Sequence, residues 1–319
     1  MMSVLLDILL AIAVIFIVCV LITYLTVRLF FYRNTPPGYD YASIDTSGMT
    51  DEIKDRHQRS LDGEKWFMSQ QPEDVMITSY DGLKLRAYYL PAKEASVKTV
   101  ICVHGYRCYS GLYEFGSRLE FLHDLGLNLL VIDQRSHGRS EGRFIGMSIP
   151  ETDDVLRWCD FIDDRIGPES KIILYGVSMG AATVINVSGE PDIPSSVKAV
   201  IEDCGFSSAI DEMAEKITAM AHLPRNPFIP MSKTIIKLIG KFDITSKVPR
   251  EQIKNFKGRL LVVHGDADTF VPTYMHEAIF ENASCEKKKL IVPKAEHIMS
   301  YYYATKEYQT LVRELADSI

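Results

Sequence analysis

Three side chains in this chain are of the types that acyl-transfer chemistry requires. Ser178 stands at the centre of Gly176-x-Ser178-x-Gly180, with an apolar run from Lys171 to Tyr175 before it and Ala181-Ala182-Thr183-Val184-Ile185 after it. That order predicts a strand, a very tight turn and a helix. A serine in such a turn has a strained backbone, and a Cβ on either flanking residue would clash with the adjoining strand or helix, so glycine is needed on both sides. The hydroxyl is then held at a strand tip, beside the first N–H groups of a helix, which face any negative charge that develops there.

A serine near its free pKa is a poor nucleophile and needs a general base held by an acid. Among eight histidines, His297 directly follows the last strand-like run, in Pro293-Lys294-Ala295-Glu296-His297. His57, His123 and His222 fall in a polar segment, a helix and an apolar insertion, where surface or packing roles suffice, and His276 opens a helix. For the acid, Val263 to Pro272 offers two carboxylates. Asp266 is nearer the strand and placed to cap the turn; Asp268 lies further out and is the favoured orienter of the imidazole. The chain order Ser178, Asp268, His297 is that of serine-elbow enzymes. Oxyanion donors are expected from the backbone N–H groups of Met179 and of Tyr106, in His104-Gly105-Tyr106-Arg107. His104 reads as a loop brace, and the charges between Asp133 and Gly142 as organisers of their own loop.

Alternating elements must position these groups. Val75–Thr78 and Leu83–Leu90 flank the hairpin signal Tyr80-Asp81-Gly82. Further strands are expected at Thr99–Val103, Asn128–Asp133, Lys171–Tyr175, Val197–Glu202, Arg259–His264 and Lys288–Val292. Helices are expected near Tyr113–Leu125, Pro150–Ile166, after Ser178, and at Thr305–Ser318. This alternation predicts an α/β fold with a mostly parallel sheet, covered on both faces and binding ligands at the carboxyl ends of its strands. Over fifty residues separate Glu202 from Arg259, more than a crossover needs. They read as a helical cap, about 205–257, carrying an apolar ridge at Ile210, Met213, Ile217 and Met220 and a second apolar helix near Ile235–Ile239. The ridge either packs on the core or, through Met213, Ile217 and Met220, lines a substrate pocket.

At 319 residues and 47% apolar content, the chain suits one large domain plus an appendage. The net charge of −7 argues against a nucleic-acid partner. Residues 1–34 read as a membrane anchor. Ile8 to Val27 are 20 residues without a charge, spanning roughly 30 Å as a helix, the thickness of a bilayer core. A cleaved signal would carry basic residues before a shorter run, and a core helix would have a polar face. Asp7 precedes the run and Arg28 and Arg33 follow it, so the positive-inside tendency favours a cytoplasmic C-terminal domain and leaves the opposite topology open. Beyond Cys19 in the span, five cysteines without a CxxC pair fit a reducing compartment and form neither a disulfide framework nor a zinc site. Asn34-Thr35-Pro36-Pro37-Gly38 ends the span. A linker, 35–72, follows, with an amphipathic helix near Met49–Met68 that either lies on the membrane or packs under the domain and whose Trp66-Phe67 pair is a packing anchor.

From about Pro72 onward the chain resembles the α/β-hydrolase superfamily. The resemblance rests on Ser79-x-Asp81-Gly82-Leu83-x-Leu85, His104-Gly105-Tyr106, Asp133-x-Arg135-x-His137-Gly138-x-Ser140-x-Gly142, the serine elbow, His264-Gly265-x-x-Asp268-x-x-Val271-Pro272 and Ala295-Glu296-His297. In detail it is similar to a bacterial branch of membrane-anchored or secreted hydrolases related to the esterase and prolyl-oligopeptidase groups, although Ser136 stands where relatives usually carry glycine. Nothing resembles the propeller of prolyl oligopeptidases. The resemblance implies an α/β-hydrolase domain over 73–319 and a Ser178–Asp268–His297 triad that cleaves a small or lipid-like carboxylic ester through an acyl-enzyme, with no metal or organic cofactor. Peptide, thioester and acyl-transfer chemistry are the alternatives on the same triad, and a non-catalytic binding module is the remaining one.

Overall fold

The β-branched runs pair side by side into a single sheet. The structure, a computed structural model, describes residues 2–36, 39 and 41–319; Pro37 and Gly38 of the expected break after the apolar run lie outside the described residues. Among the described residues the strands are β1 (Glu73–Thr78), β2 (Lys84–Leu90), β3 (Lys98–Val103), β4 (Asn128–Asp133), β5 (Lys171–Val177), β6 (Val197–Asp203), β7 (Arg259–Gly265) and β8 (Glu286–Val292). Their order is β1-β2-β4-β3-β5-β6-β7-β8. β2 pairs antiparallel with β1 and β4, and the other neighbours are parallel. The fold is thus the mostly parallel α/β arrangement expected.

The helices are α1 (Met2–Phe31), α2 (Asp51–Ser69), α3 (Gly111–Asp124), α4 (Ile149–Ile166), α5 (Met179–Ser188), α6 (Ala209–Met220), α7 (Arg225–Ile239), α8 (Pro249–Gln252), α9 (Tyr274–Asn282), α10 (Ser300–Tyr303) and α11 (Thr305–Asp317). Successive side chains of a strand point to opposite faces, so β3 sends Val100 and Cys102 into one core and Ile101 and Val103 into the other. The first core is closed by Leu119 of α3 and Tyr308 and Val312 of α11, the second by Trp158 of α4, Val184 of α5 and Ile279 of α9. Of the two placements open to the amphipathic helix, α2 adopts the packed one. Phe67 is fully buried in the first core, a contribution of about 2 kcal/mol, and His57 Nδ1 lies 2.7 Å from the Tyr113 hydroxyl on α3.

A third core gathers at the carboxyl ends of the strands. It joins Met179 at the elbow, Met213 and Ile217 of α6, Ile236 of α7, and Val27 and Phe31 of α1. Of the apolar residues expected on the second cap helix only Ile236 is fully buried, and Leu238 is exposed. The apolar helix α1 exceeds the run read from the sequence at both ends. It is long and apolar enough to cross a membrane, and no residue of its most apolar stretch is buried in the molecule. Only its last turns dock, through Thr23, Thr26, Val27 and Phe31, with Thr23 Oγ1 3.8 Å from Met231 Sδ of α7. The chain then pairs with the loop after β4. Ile145 N–H donates to Phe31 O at 2.7 Å and Arg33 N–H to Arg143 O at 2.8 Å. The Arg33 guanidinium caps Ser140 O at 2.8 Å and Thr35 O at 2.6 Å, so one of the two flanking cations is taken up by the domain.

Candidate active site

The turn between β5 and α5 is built as tightly as its glycines imply. Ser178 has φ 55° and ψ −118°, a conformation that non-glycine residues hold only when their surroundings impose it. Here they do: a Cβ on Gly176 would stand 2.2 Å from Gly180 O, and one on Gly180 1.9 Å from Val103 O of β3. Ser178 N–H donates to Asp203 O at the end of β6, 2.8 Å away. The serine is pinned to both neighbouring strands.

The loops after β7 and β8 bring Asp268 and His297 to the same place. His297 Nε2 lies 2.9 Å from Ser178 Oγ, and His297 Nδ1 lies 2.7 Å from Asp268 Oδ2. Asp268 accepts two further hydrogen bonds on Oδ1, from Phe270 N–H at 2.9 Å and Val271 N–H at 2.8 Å. Burial works against its charge, but the hydrogen bond and charge of His297 and the Val271 N–H outweigh it, holding the carboxyl below its ordinary value. It is therefore ionised at neutral pH and fixes the imidazole with a proton on Nδ1 and a lone pair toward the serine. Asp266, the competing carboxylate, instead accepts from Lys294 N–H at 2.5 Å and caps the turn before His297. Only Asp268 reaches the imidazole.

The loop after β3 lies against the serine, where a Cβ on Gly105 would stand 3.2 Å from Ser178 Cβ. Its shape is held by two buried histidines. His104 lies with Nδ1 2.8 Å from Gly105 O and accepts Gln134 N–H on Nε2 at 3.0 Å. His137 lies with Nδ1 2.9 Å from Arg135 O and accepts Arg107 N–H on Nε2 at 3.0 Å. Burial lowers both pKa values, which keeps each ring neutral and able to accept on one nitrogen. The next loop is braced by Asp133, which accepts from Gly111 N–H at 2.9 Å and Arg139 N–H at 3.0 Å, and by Arg135 paired with Asp154 and Asp81. Ser136 takes φ 65°, the left-handed region that favours glycine, and binds Phe144 O through its hydroxyl at 2.9 Å.

A pocket opens beside Ser178. The three ridge residues singled out from the sequence line it: Met213 and Ile217 are buried, and Met220 is exposed at the rim. Tyr106, expected from the sequence only to lend its backbone N–H, also lines it. Sequence reading missed the contribution of Phe30 and Phe31, from the last turn of α1. It also missed Glu212, buried in the same wall and pushed up to about 7 by that burial, with Lys216 3.3 Å away acting against the shift. Cys204 Sγ, Asp268 and His297 come within 4.8 Å of one another. Burial pushes the Cys204 thiol well up, so it is protonated and adds no thiolate to this cluster.

A family model described as serine aminopeptidase, S33, matches residues 94–242, a stretch that holds the elbow and ends before the loops of Asp268 and His297. The chain is 26% identical over 275 residues to the uncharacterized protein YqkD of Bacillus subtilis, covering 85% of this chain and 88% of that one. It is 24% identical over 235 residues to the uncharacterized protein YfhR of Escherichia coli, covering 72% and 74%. Among solved structures, an esterase of Pyrococcus furiosus superimposes with a TM-score of 0.64 at 22% identity, over 90% of this chain and 98% of that one. Est1E of Butyrivibrio proteoclasticus, with ferulic acid bound, gives 0.55 at 21% identity, over 76% and 96%. The chain has the α/β-hydrolase fold of these structures.

Proposed function

We propose that this protein is a membrane-anchored esterase that cleaves a carboxylic ester through an acyl-enzyme on Ser178. The observation that carries the reading is the unbroken run of hydrogen bonds from Ser178 Oγ through His297 to Asp268, 2.9 Å and 2.7 Å. Ser178 attacks the acyl carbon while His297 Nε2 takes its proton and passes it to the leaving alcohol. Asp268 stabilises the imidazolium and does not itself become protonated. The N–H groups of Tyr106 and Met179 hold the oxyanion, which develops where a helix N-terminus already favours negative charge. Water activated by His297 then releases the acid.

The apolar lining beside Ser178 favours an acyl group over a charged one. α1 tethers the chain to a membrane, and Arg28 and Arg33 favour a cytoplasmic domain. Ser178→Ala tests the assignment: loss of p-nitrophenyl acetate hydrolysis and of fluorophosphonate labelling is expected, and retained turnover would refute it. The matched family's description favours one second reading, removal of an amino-terminal residue from a peptide. Amino-acid p-nitroanilides cleaved faster than esters by the same serine would establish it.

A further inference from the structure

We infer that the last turn of α1 is a working part of the substrate site and that the ester it serves has its acyl chain in the bilayer that α1 crosses. The inference rests on the esterase reading of Ser178. Three observations carry it.

Phe30 and Phe31 form pocket wall together with Met213, Ile217 and Met220 of α6 and with Ser178 itself. The anchor is therefore continuous with the place where the acyl group must sit. The same turn is bonded to the loop expected to supply an oxyanion donor: the Tyr106 hydroxyl donates to Phe30 O at 2.5 Å, and the Arg107 guanidinium donates to Leu29 O. A flexible tether would need neither bond.

Depth supplies the third argument. If the apolar run ending at Val27 fills the bilayer core, Phe30 and Phe31 lie three and four residues beyond it, about 5 Å into the headgroup layer. An ester carbonyl whose chain is dissolved in the core sits at that same depth. The pocket opens past exposed apolar side chains, Met220 at 58% and Phe270 at 37%, beside the cations Arg107 and Lys216, and outside it α1 exposes Leu25 and Leu29 at 54% and 64%. An exposed apolar rim continuous with a membrane helix is covered by lipid when the protein is in its membrane. A bilayer amphiphile reaches Ser178 by lateral movement, with its chain never entering water.

The test uses the full chain in phosphatidylcholine vesicles, with p-nitrophenyl dodecanoate dissolved in the bilayer and p-nitrophenyl acetate in the water. The expected kcat/KM for dodecanoate exceeds that for acetate by at least tenfold, and the dodecanoate rate falls when phosphatidylcholine added to the same vesicles lowers its mole fraction. Phe30→Ala is expected to reduce the dodecanoate-to-acetate ratio at least fivefold; because the ratio is read within one variant, partial loss of folded protein cancels. Phe30→Trp, which keeps a bulky ring, restores at least half of it. A preference for acetate, a dodecanoate rate indifferent to mole fraction, or a ratio unchanged in Phe30→Ala would overturn the inference while leaving Ser178 an esterase nucleophile. Turnover of both esters by Ser178→Ala would remove the esterase reading and the inference with it.

Discussion

The hydroxyl of Tyr106 donates to the main-chain carbonyl of Phe30 across 2.5 Å, tying the loop beside Ser178 to the carboxyl end of a helix 76 residues earlier in the chain. The carbonyls of a helix's last turn have no partner within the helix, so this bond satisfies one of them while holding the loop. Replacing Tyr106 with phenylalanine keeps the ring and the backbone N–H and removes only that bond. A hydrogen bond of this kind contributes about 1 kcal/mol, and its loss is expected to lower kcat/KM for an ester about fivefold. The rate of fluorophosphonate labelling of Ser178 should fall with it. A variant with unchanged labelling would show that the loop keeps its shape without the anchor.

Asp268→Asn isolates the role of the carboxylate from its place in the loop. The amide oxygen can still accept from Phe270 and Val271 N–H, so the turn is retained. The amide nitrogen, however, then faces His297 Nδ1 and favours the tautomer with its proton on Nε2, toward the serine. The expected loss in kcat is about 10⁴-fold, with little change in melting temperature. Asp266→Asn should leave the rate within a fewfold of the original, because that carboxylate accepts from Lys294 N–H and not from the imidazole. A large loss in Asp266→Asn with the rate kept in Asp268→Asn would reverse the assignment between the two acids.

The elbow and its partners were legible in the sequence because their constraints are local. A serine between two glycines, a β-branched run before it and small residues after it leave one arrangement of backbone. Asp268 and His297 follow from the parallel sheet, which puts every βα loop at one edge. The contribution of Phe30 and Phe31 was not legible. The span of α1 is apolar all round, so its sequence has no periodicity that says which side docks, and near the contact it is interrupted by Thr23, Tyr24, Thr26 and Arg28 alike. Nor does spacing reveal the buried Arg118–Asp203 pair, 3.4 Å apart, whose Asp203 also accepts from Tyr308 at 2.9 Å. Those residues come from α3, β6 and α11, and nothing in any one segment points to the others. Glu212 did leave a trace, as the i,i+4 partner of Lys216, yet that spacing reads as an ordinary exposed helix pair.

Gly180→Ala should prevent the site from forming. The added Cβ would stand 1.9 Å from Val103 O and 2.6 Å from His104 O. Both are main-chain atoms of β3 and the loop beyond it, and neither can move without opening the sheet between β3 and β5. The expected cost is several kcal/mol, at the upper end of single substitutions, against a total stability of about 5–15 kcal/mol for a domain. Expression of detergent-extracted, fluorophosphonate-reactive protein is the measurement. A variant that folds and labels normally would show the elbow to be far more compliant than its packing implies.

Glu212→Gln separates the pocket carboxyl from the rest of the site by its effect on stability with pH. Burial raises the folded-state pKa to about 7 from an ordinary 4.5, with Lys216 opposing. The folded protein therefore binds this proton more tightly than the unfolded chain, and between about pH 4.5 and 7 it holds the larger share of protons. Stability then falls as pH rises through that window, and the loss is complete above it. At about 1.4 kcal/mol for each unit, the loss is about 3 kcal/mol at most. Glutamine fills the same volume and carries no titrating proton. Chemical unfolding of the full chain in detergent micelles at pH 5 and pH 8 should therefore show the original protein losing 1–3 kcal/mol relative to the variant, roughly that ceiling reduced by water reaching the pocket. Other raised carboxyls, such as Glu151, remain in both proteins and cancel. A variant that instead lost ground at pH 8 would mean that the ionised Glu212–Lys216 pair stabilises the pocket wall.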